Sequence, residues 1–181
     1  SLIVSHMLSI MNSVHGGIIK WALAKIEIHR DDQVLDIGCG GGRAIKNLVH
    51  SINGGKIYGI DYSSTAVQRS RKINQSDVAT GKVEIVKGSV STMPFEDKSF
   101  DIITAFQTHY FWPDLENDIK EVYRILKVGG SFVIASELYK INYHMANYKT
   151  QEELAELFRR IGYNSINYYK NSKWMCMVGT K

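Results

Sequence analysis

The sequence predicts an α/β fold: a doubly wound, mostly parallel sheet of seven strands with an antiparallel hairpin at its C-terminal edge. Three observations predict it. Short apolar runs that read as strands alternate with longer stretches of helical period, and parallel neighbours require such crossovers. A glycine-rich turn, with Gly38, Gly40, Gly41 and Gly42, directly follows the first apolar run. The tail from Tyr163 to Thr180 reads as two strands with no helix between them, turning around Asn171 and Ser172.

Taken in order, Ser5-His6-Met7 reads as the end of a cloning remnant spanning residues 1–6, so the natural chain is expected to begin at Met7. Residues 7–181 then form one domain, with a helical segment at about 8–28 and the sheet core at about 33–181. From Ser9 to Ile26 the apolar positions Ile10, Val14, Ile18, Trp21, Leu23 and Ile26 follow a helical period that Gly16 and Gly17 interrupt. Val34-Leu35-Asp36-Ile37 is the first strand, and Ala44 to Ile52 the helix after the glycine turn. Lys56 to Asp61 is the second strand, and Ser63 to Gln75 a helix with Ser63 or Ser64 as its N-cap. Val83 to Val86 and Phe100 to Phe106 are the next strands. Pro113-Asp114-Leu115 opens a helix carrying Ile119, Val122, Tyr123 and Leu126 on one face, stopped by Gly129-Gly130. Ser131 to Ser136 is a strand, and Gln151 to Ile161 an amphipathic helix ended by Gly162.

Composition narrows the function. At 181 residues, 44% hydrophobic and 22% charged, the chain supports a single packed core and excludes a disordered or fibrous protein. No apolar run approaches the ~20 residues of a membrane-spanning helix, and no secretory signal is evident. Two cysteines, Cys39 and Cys176, make no disulfide framework, so a cytoplasmic protein is expected. The net charge of +4 is dispersed along the chain, and Arg69, Arg71 and Lys72 read as a solvated helix face, so no nucleic-acid partner is expected. The histidines at 15, 29, 50, 109 and 144 lack paired ligand spacing. Asp114, Glu116 and Asp118 suit a helix N-terminus, so no metal is expected.

In an open parallel sheet the ligand lies beyond the carboxyl ends of the strands. The segments there are Asp36–Arg43, Asp61–Ser63, Gly88–Val90 and Phe106–Trp112. A dinucleotide fingerprint requires a third glycine where this chain has Arg43, and Asp36 would repel a pyrophosphate. A carboxylate at Asp36 suits a ligand that carries an ammonium group. Asp61 follows the first glycine at close to the ~20 positions at which an acid holds a ribose diol. These features point to an adenosine-containing cofactor without saying which.

Val-Leu-Asp-Ile-Gly-Cys-Gly-Gly-Gly-Arg at 34–43, Gly-Ile-Asp-Tyr-Ser at 59–63, Thr-Met-Pro-Phe-Glu-Asp-Lys-Ser-Phe-Asp at 92–101 and Glu-Val-Tyr-Arg-Ile-Leu-Lys-Val-Gly-Gly at 121–130 together resemble a class I S-adenosylmethionine-dependent methyltransferase. The resemblance implies a Rossmann-like fold, S-adenosyl-L-methionine as cofactor and S-adenosyl-L-homocysteine as product. It implies that Asp36 lies near the cofactor's amino group, that Gly38, Cys39 and Gly40 contact it by backbone, and that Asp61 takes the ribose hydroxyls with Tyr62 beside the adenine. Where many relatives carry Asp after the third strand, this chain has Gly88-Ser89-Val90, leaving adenine to Ser89 or to the backbone of Val90. The segment opened by Phe106 would face the reactive methyl and its acceptor. Methyl transfer is an in-line displacement that needs positioning and exclusion of water. His109 is the candidate general base, with His144 and Tyr139 behind it, against the alternative that it is a packing residue. Tyr110, Trp112, Tyr139, Tyr143 and His144 are the candidate wall for a small-molecule acceptor. An RNA or protein methyltransferase, a non-catalytic S-adenosylmethionine-binding protein and an NAD-dependent oxidoreductase are the competing readings; the spacing does not identify the acceptor or the oligomeric state.

Overall fold

A computed structural model describes residues 16–181, so the proposed remnant and the first part of the helical segment lie outside the described residues. Helix α1 is described over 16–23, with Gly16 and Gly17 in its first described turn, and the interruption expected at these glycines concerns a stretch that lies outside the described residues. The remaining elements are β1 (Gln33–Ile37), α2 (Arg43–Leu48), β2 (Lys56–Asp61), α3 (Ser64–Ile73), α4 (Gln75–Ala79), β3 (Val83–Lys87), β4 (Phe100–Phe106), a 3-10 turn (His109–Phe111), α5 (Leu115–Ile125), β5 (Leu126–Glu137), α6 (Leu138–His144), α7 (Gln151–Ile161), β6 (Ser165–Lys170) and β7 (Trp174–Thr180).

The sheet has the order β3-β2-β1-β4-β5-β7-β6. Pairings from β3 through β5 are parallel, whereas β7 runs antiparallel to both β5 and β6. The C-terminal hairpin lies at the edge as expected, but its antiparallel member β7 is the inner strand. That order lets the apolar β7, largely buried, replace the more polar β6 against β5.

Alternation along β1 decides what faces what. Val34 packs with Ile45, Leu48 and Val67 of α2 and α3, while Leu35 and Ile37 join the core under α5 and α7. Asp36 shares the face of Val34, beside which α1 contributes Ile18, Ile19 and Ala22 to a third apolar cluster with Phe106, Val133 and Cys176. Both faces of the central strands are therefore covered, which explains their near-continuous apolar runs.

Two boundaries differ from expectation for identifiable reasons. Gly129-Gly130 does not stop α5. That helix ends at Ile125, Leu126 already pairs with Phe100 in the sheet, and the glycines belong to a bulge opposite Asp101, with Gly129 at φ +82°. The helix expected to reach Gln75 ends at Ile73 because Asn74 is buried and donates its side-chain amide back to the carbonyls of Gly42 and Ser70 at 3.1 and 3.0 Å, after which α4 begins. Ser63 caps α3, Asp114 caps α5, and Thr150 caps α7 by accepting from the amide of Glu153 at 3.1 Å. The expected stop at Gly162 is present at φ +129°.

Candidate active site

The turn after β1 wraps over the end of β2. The amides of Gly38 and Cys39 both donate to the carbonyl of Ile60, at 2.8 and 3.1 Å. Asp61 then ties the turn down: one carboxylate oxygen accepts from the Gly40 amide and the other from the Ser63 amide, each at 3.0 Å. Gly38 stands at φ +68°, and a Cβ there would collide with the side chain of Thr108. Only glycine satisfies both the conformation and the space.

Asp36 is placed by register. It lies opposite Thr104 on β4, whose hydroxyl donates to its carboxylate at 2.8 Å. The carboxyl is 2% exposed, and desolvation by burial pushes its pKa up to about 7, with the Thr104 bond opposing the rise and the charge of Asp61 adding to it.

Two cavities open at the carboxyl ends of the strands, one on either side of Gly38. The first, of about 230 Å3, is lined by Ile18 and Ile19 of α1, by Asp36, Gly38, Cys39, Gly40 and Gly41, by Arg43 and Ala44 at the start of α2, and by Phe106 and Gln107. The second, of about 440 Å3, is lined by Ile37, Gly38, Ile60, Asp61, Tyr62, Gly88, Ser89, Val90, Thr108, Phe111, Trp112 and Pro113. The first sets a carboxyl and a guanidinium around glycine amides. The second sets a carboxylate and a hydroxyl among apolar and aromatic walls.

All the residues expected to face a cofactor line these cavities: Asp36, Cys39, Gly40 and Phe106 the first, Asp61, Tyr62, Ser89 and Val90 the second, and Gly38 both. The Cys39 thiol is buried, and desolvation followed by the charge of Asp36 raises its pKa to about 12, so it is no nucleophile. The residues expected to face an acceptor are distributed differently. Trp112 lines the second cavity and stacks on Phe132 at 6.3 Å. Tyr110 is 7% exposed and stacks on His144 at 5.3 Å, while Tyr139 and Tyr143 stand on the outer surface of α6; none of these four lines either cavity.

His109 lies in the interior at 1% exposure, off both cavity linings, with its Nδ1 3.0 Å from the hydroxyl of Ser136. Burial lowers its pKa to about 3, so the ring is neutral at any physiological pH.

The structure adds Ile18, Ile19, Arg43, Gln107, Thr108 and Phe111 to the lining. Gln107, Thr108 and Phe111 fall within the segment after β4 that the strand pattern marks. Arg43 was read from the sequence only as the residue that spoils a dinucleotide motif. Among the described residues no group of three or more His, Cys, Asp and Glu is arranged to hold a metal, and no helix is long and apolar enough to cross a membrane.

Residues 35–134 match the model of a family described as a methyltransferase domain. The chain is 33% identical over 124 residues to a sterol 24-C-methyltransferase of Neurospora crassa, a match that covers 68% of this chain and 32% of that protein. The chain thus spans about a third of the length of that relative. Among solved structures, a Haloferax volcanii protein in complex with the Trm112 methyltransferase activator superposes with a TM-score of 0.78 at 23% identity, covering 94% of this chain and 90% of that one. A SAM-dependent methyltransferase from Aquifex aeolicus superposes with a TM-score of 0.72 at 17% identity, covering 89% and 88%. At such identities the two structures speak to the fold alone.

Proposed function

This chain belongs to the S-adenosylmethionine-dependent methyltransferase family, and from that premise we propose that it transfers a methyl group by in-line displacement to a small-molecule acceptor. The observation that carries the reading is the pair of cavities meeting at Gly38, with Asp36 in one and Asp61 in the other.

The donor set fits the cofactor part by part. Asp36 and Arg43, of opposite charge and on one small cavity, complement the ammonium and carboxylate of an amino-acid end. Asp61 sits where a ribose diol can be held, and the second cavity offers Tyr62, Val90 and Trp112 as apolar walls for a purine with Ser89 as a hydrogen-bonding group. When bound, the cofactor supplies an electrophilic sulfonium methyl, so the chemistry asks the protein for orientation and dryness. Ile18, Ile19 and Phe106 provide apolar cover on the first cavity, and the turn amides fixed by Asp61 and Ile60 provide rigidity.

His109 enters this mechanism as a neutral, buried support under the segment after β4 and not as the general base. A base must reach the acceptor, and this ring is enclosed and lines neither cavity. The sterol relative supports a small apolar acceptor, since its name gives it a sterol substrate. The exposed aromatic ring of Phe111 on the second cavity suits such a molecule, and the exposed rings of Tyr139 and Tyr143 on α6 add apolar surface outside the two cavities.

Calorimetric titration with S-adenosylmethionine, S-adenosylhomocysteine and NAD tests the reading. Micromolar binding of the first two, lost in Asp61→Ala, is expected; tighter binding of NAD overturns it.

A further inference from the structure

The segment between the two cavities contains a side chain that the cofactor reading leaves without a task. Gln107, directly after β4, lies at φ +54°, a left-handed conformation that a non-glycine residue holds only where its surroundings fix it. What fixes it is a pair of bonds to one partner. Its side-chain carbonyl accepts from the backbone amide of Glu137, and its side-chain amide donates to the Glu137 carboxylate, both at 2.9 Å. Its own backbone amide donates to the carbonyl of Ala135, also at 2.9 Å.

The partner occupies a pivotal place. Glu137 is the last residue of β5 and the N-cap of α6, and its carboxylate also holds Lys140 of that helix at 2.8 Å. The carbonyl oxygen of the Gln107 side chain lies 3.4 Å from the hydroxyl of Tyr110, whose ring stacks on His144 at the far end of α6. Both ends of α6 are thereby referred to Gln107, and Gln107 itself is on the lining of the Asp36 cavity. The element carrying Tyr139, Tyr143 and His144 is thus tied to the wall of the Asp36 cavity through the Gln107 side chain, beside the contacts of Phe111 with His144 at 4.6 Å and of the Leu138 amide with the Lys173 carbonyl at 2.9 Å that hold it elsewhere.

We propose that Gln107 is a positioning residue that couples occupation of the Asp36 cavity to the placement of α6, through its paired hydrogen bonds to Glu137. The inference rests on the cofactor assignment of the preceding subsection and assigns the acceptor side its order of assembly. A ligand filling the Asp36 cavity packs on Gln107, opposes the opening of its two bonds to Glu137, and so holds the start of α6 in place before an acceptor arrives.

The test uses the full chain, S-adenosylhomocysteine as probe, and two readouts: calorimetric affinity and hydrogen exchange of residues 138–144 with and without the probe. In the wild type the probe slows exchange in α6 several-fold. Gln107→Glu sets a carboxylate against that of Glu137, so the slowing disappears and affinity falls about tenfold. The double variant Gln107→Glu with Glu137→Gln again places an amide against a carboxylate and recovers most of both. Gln107→Gly, which suits the positive φ and removes the clamp, gives a second variant that folds without strain and is expected to bind the probe without protecting α6. A purely structural Gln107 would shift melting temperature while leaving the response of α6 to the probe intact, and that result overturns the proposal, as does failure of the double variant to recover. Probe binding to the wild type with no change in α6 overturns the coupling alone, whereas no binding at all overturns the cofactor assignment with it.

Discussion

Burial of the Asp36 carboxyl raises its pKa from 3.8 to about 7 against the opposing bond from Thr104, so on the proposed assignment of Asp36 to the cofactor's ammonium, binding is expected to be linked to a proton. The folded, ligand-free chain holds this proton more tightly than the unfolded chain. The group therefore favours folding fully below about pH 4, and that contribution, a few kcal/mol, is lost as the pH rises through 7. An ammonium placed against the carboxyl reverses the preference and expels the proton. At pH 6 binding should release close to one proton, seen as a binding enthalpy that depends on the ionisation heat of the buffer, and affinity should rise toward pH 8. Asp36→Asn should abolish both effects, and a buffer-independent enthalpy in the wild type at pH 6 would show that no ammonium meets this carboxyl. His109 makes the complementary case. Its ring is held neutral by burial, so His109→Asn, which can keep a bond to Ser136, is expected to leave turnover within about threefold, against the ~100-fold or greater loss that removal of a general base brings.

At the scale of elements, the glycine turn and α6 show what a sequence can and cannot convey. The turn was legible because its requirements are local. Positive φ at Gly38, Gly40 and Gly42 demands glycine wherever the chain lies, and an acid two residues ahead of the turn or at the end of the next strand keeps its place by register alone. Gly38→Ala combines a strained φ with a collision against Thr108, and should lower stability by roughly 1–3 kcal/mol while weakening cofactor affinity further, as chemical denaturation and calorimetry would show. The proposed acceptor wall was not legible in the same way. Tyr139, Tyr143 and His144 mark a region rich in rings, but which ring turns inward depends on how α6 leaves β5, where Glu137 bonds Gln107 and Lys140 and the Leu138 amide bonds the carbonyl of Lys173, contacts that the local sequence does not reveal. The bulge at Gly129-Gly130 was misread for a related reason. A glycine pair after an amphipathic helix is the signal of a helix end, and only the pairing of Leu126 with Phe100 shows that the strand has already begun.

For the whole molecule, the two cavities at Gly38 and the core are mechanically one object. Trp112 on the wall of the second cavity stacks on Phe132 in β5, and Phe132 stacks on Phe158 of α7 at 5.7 Å, so a column of rings runs from the cavity to the far helix layer. Phe132 and Phe158 are fully buried, and Phe132→Ala should cost about 3–5 kcal/mol and lower cofactor affinity as well, because the wall loses its backing. The same unity makes the ligand a reporter of fold identity. A compound that binds only the native state stabilises it by about 2.7 kcal/mol at a hundred times its dissociation constant. In a domain of this size each kcal/mol raises the melting temperature by about 2–4 °C. S-Adenosylhomocysteine should therefore shift the melt by roughly 5–10 °C at that excess. NAD should not shift it, because its pyrophosphate would have to pass the Asp36 carboxyl and Arg43 stands where the third glycine of a dinucleotide turn is required. The shift should shrink toward zero in Asp61→Asn, which replaces the acceptor oxygens that face the Gly40 and Ser63 amides with one oxygen and one donor. A melt that moves with NAD and not with S-adenosylhomocysteine would mean that the two cavities at Gly38 are shaped for a dinucleotide after all.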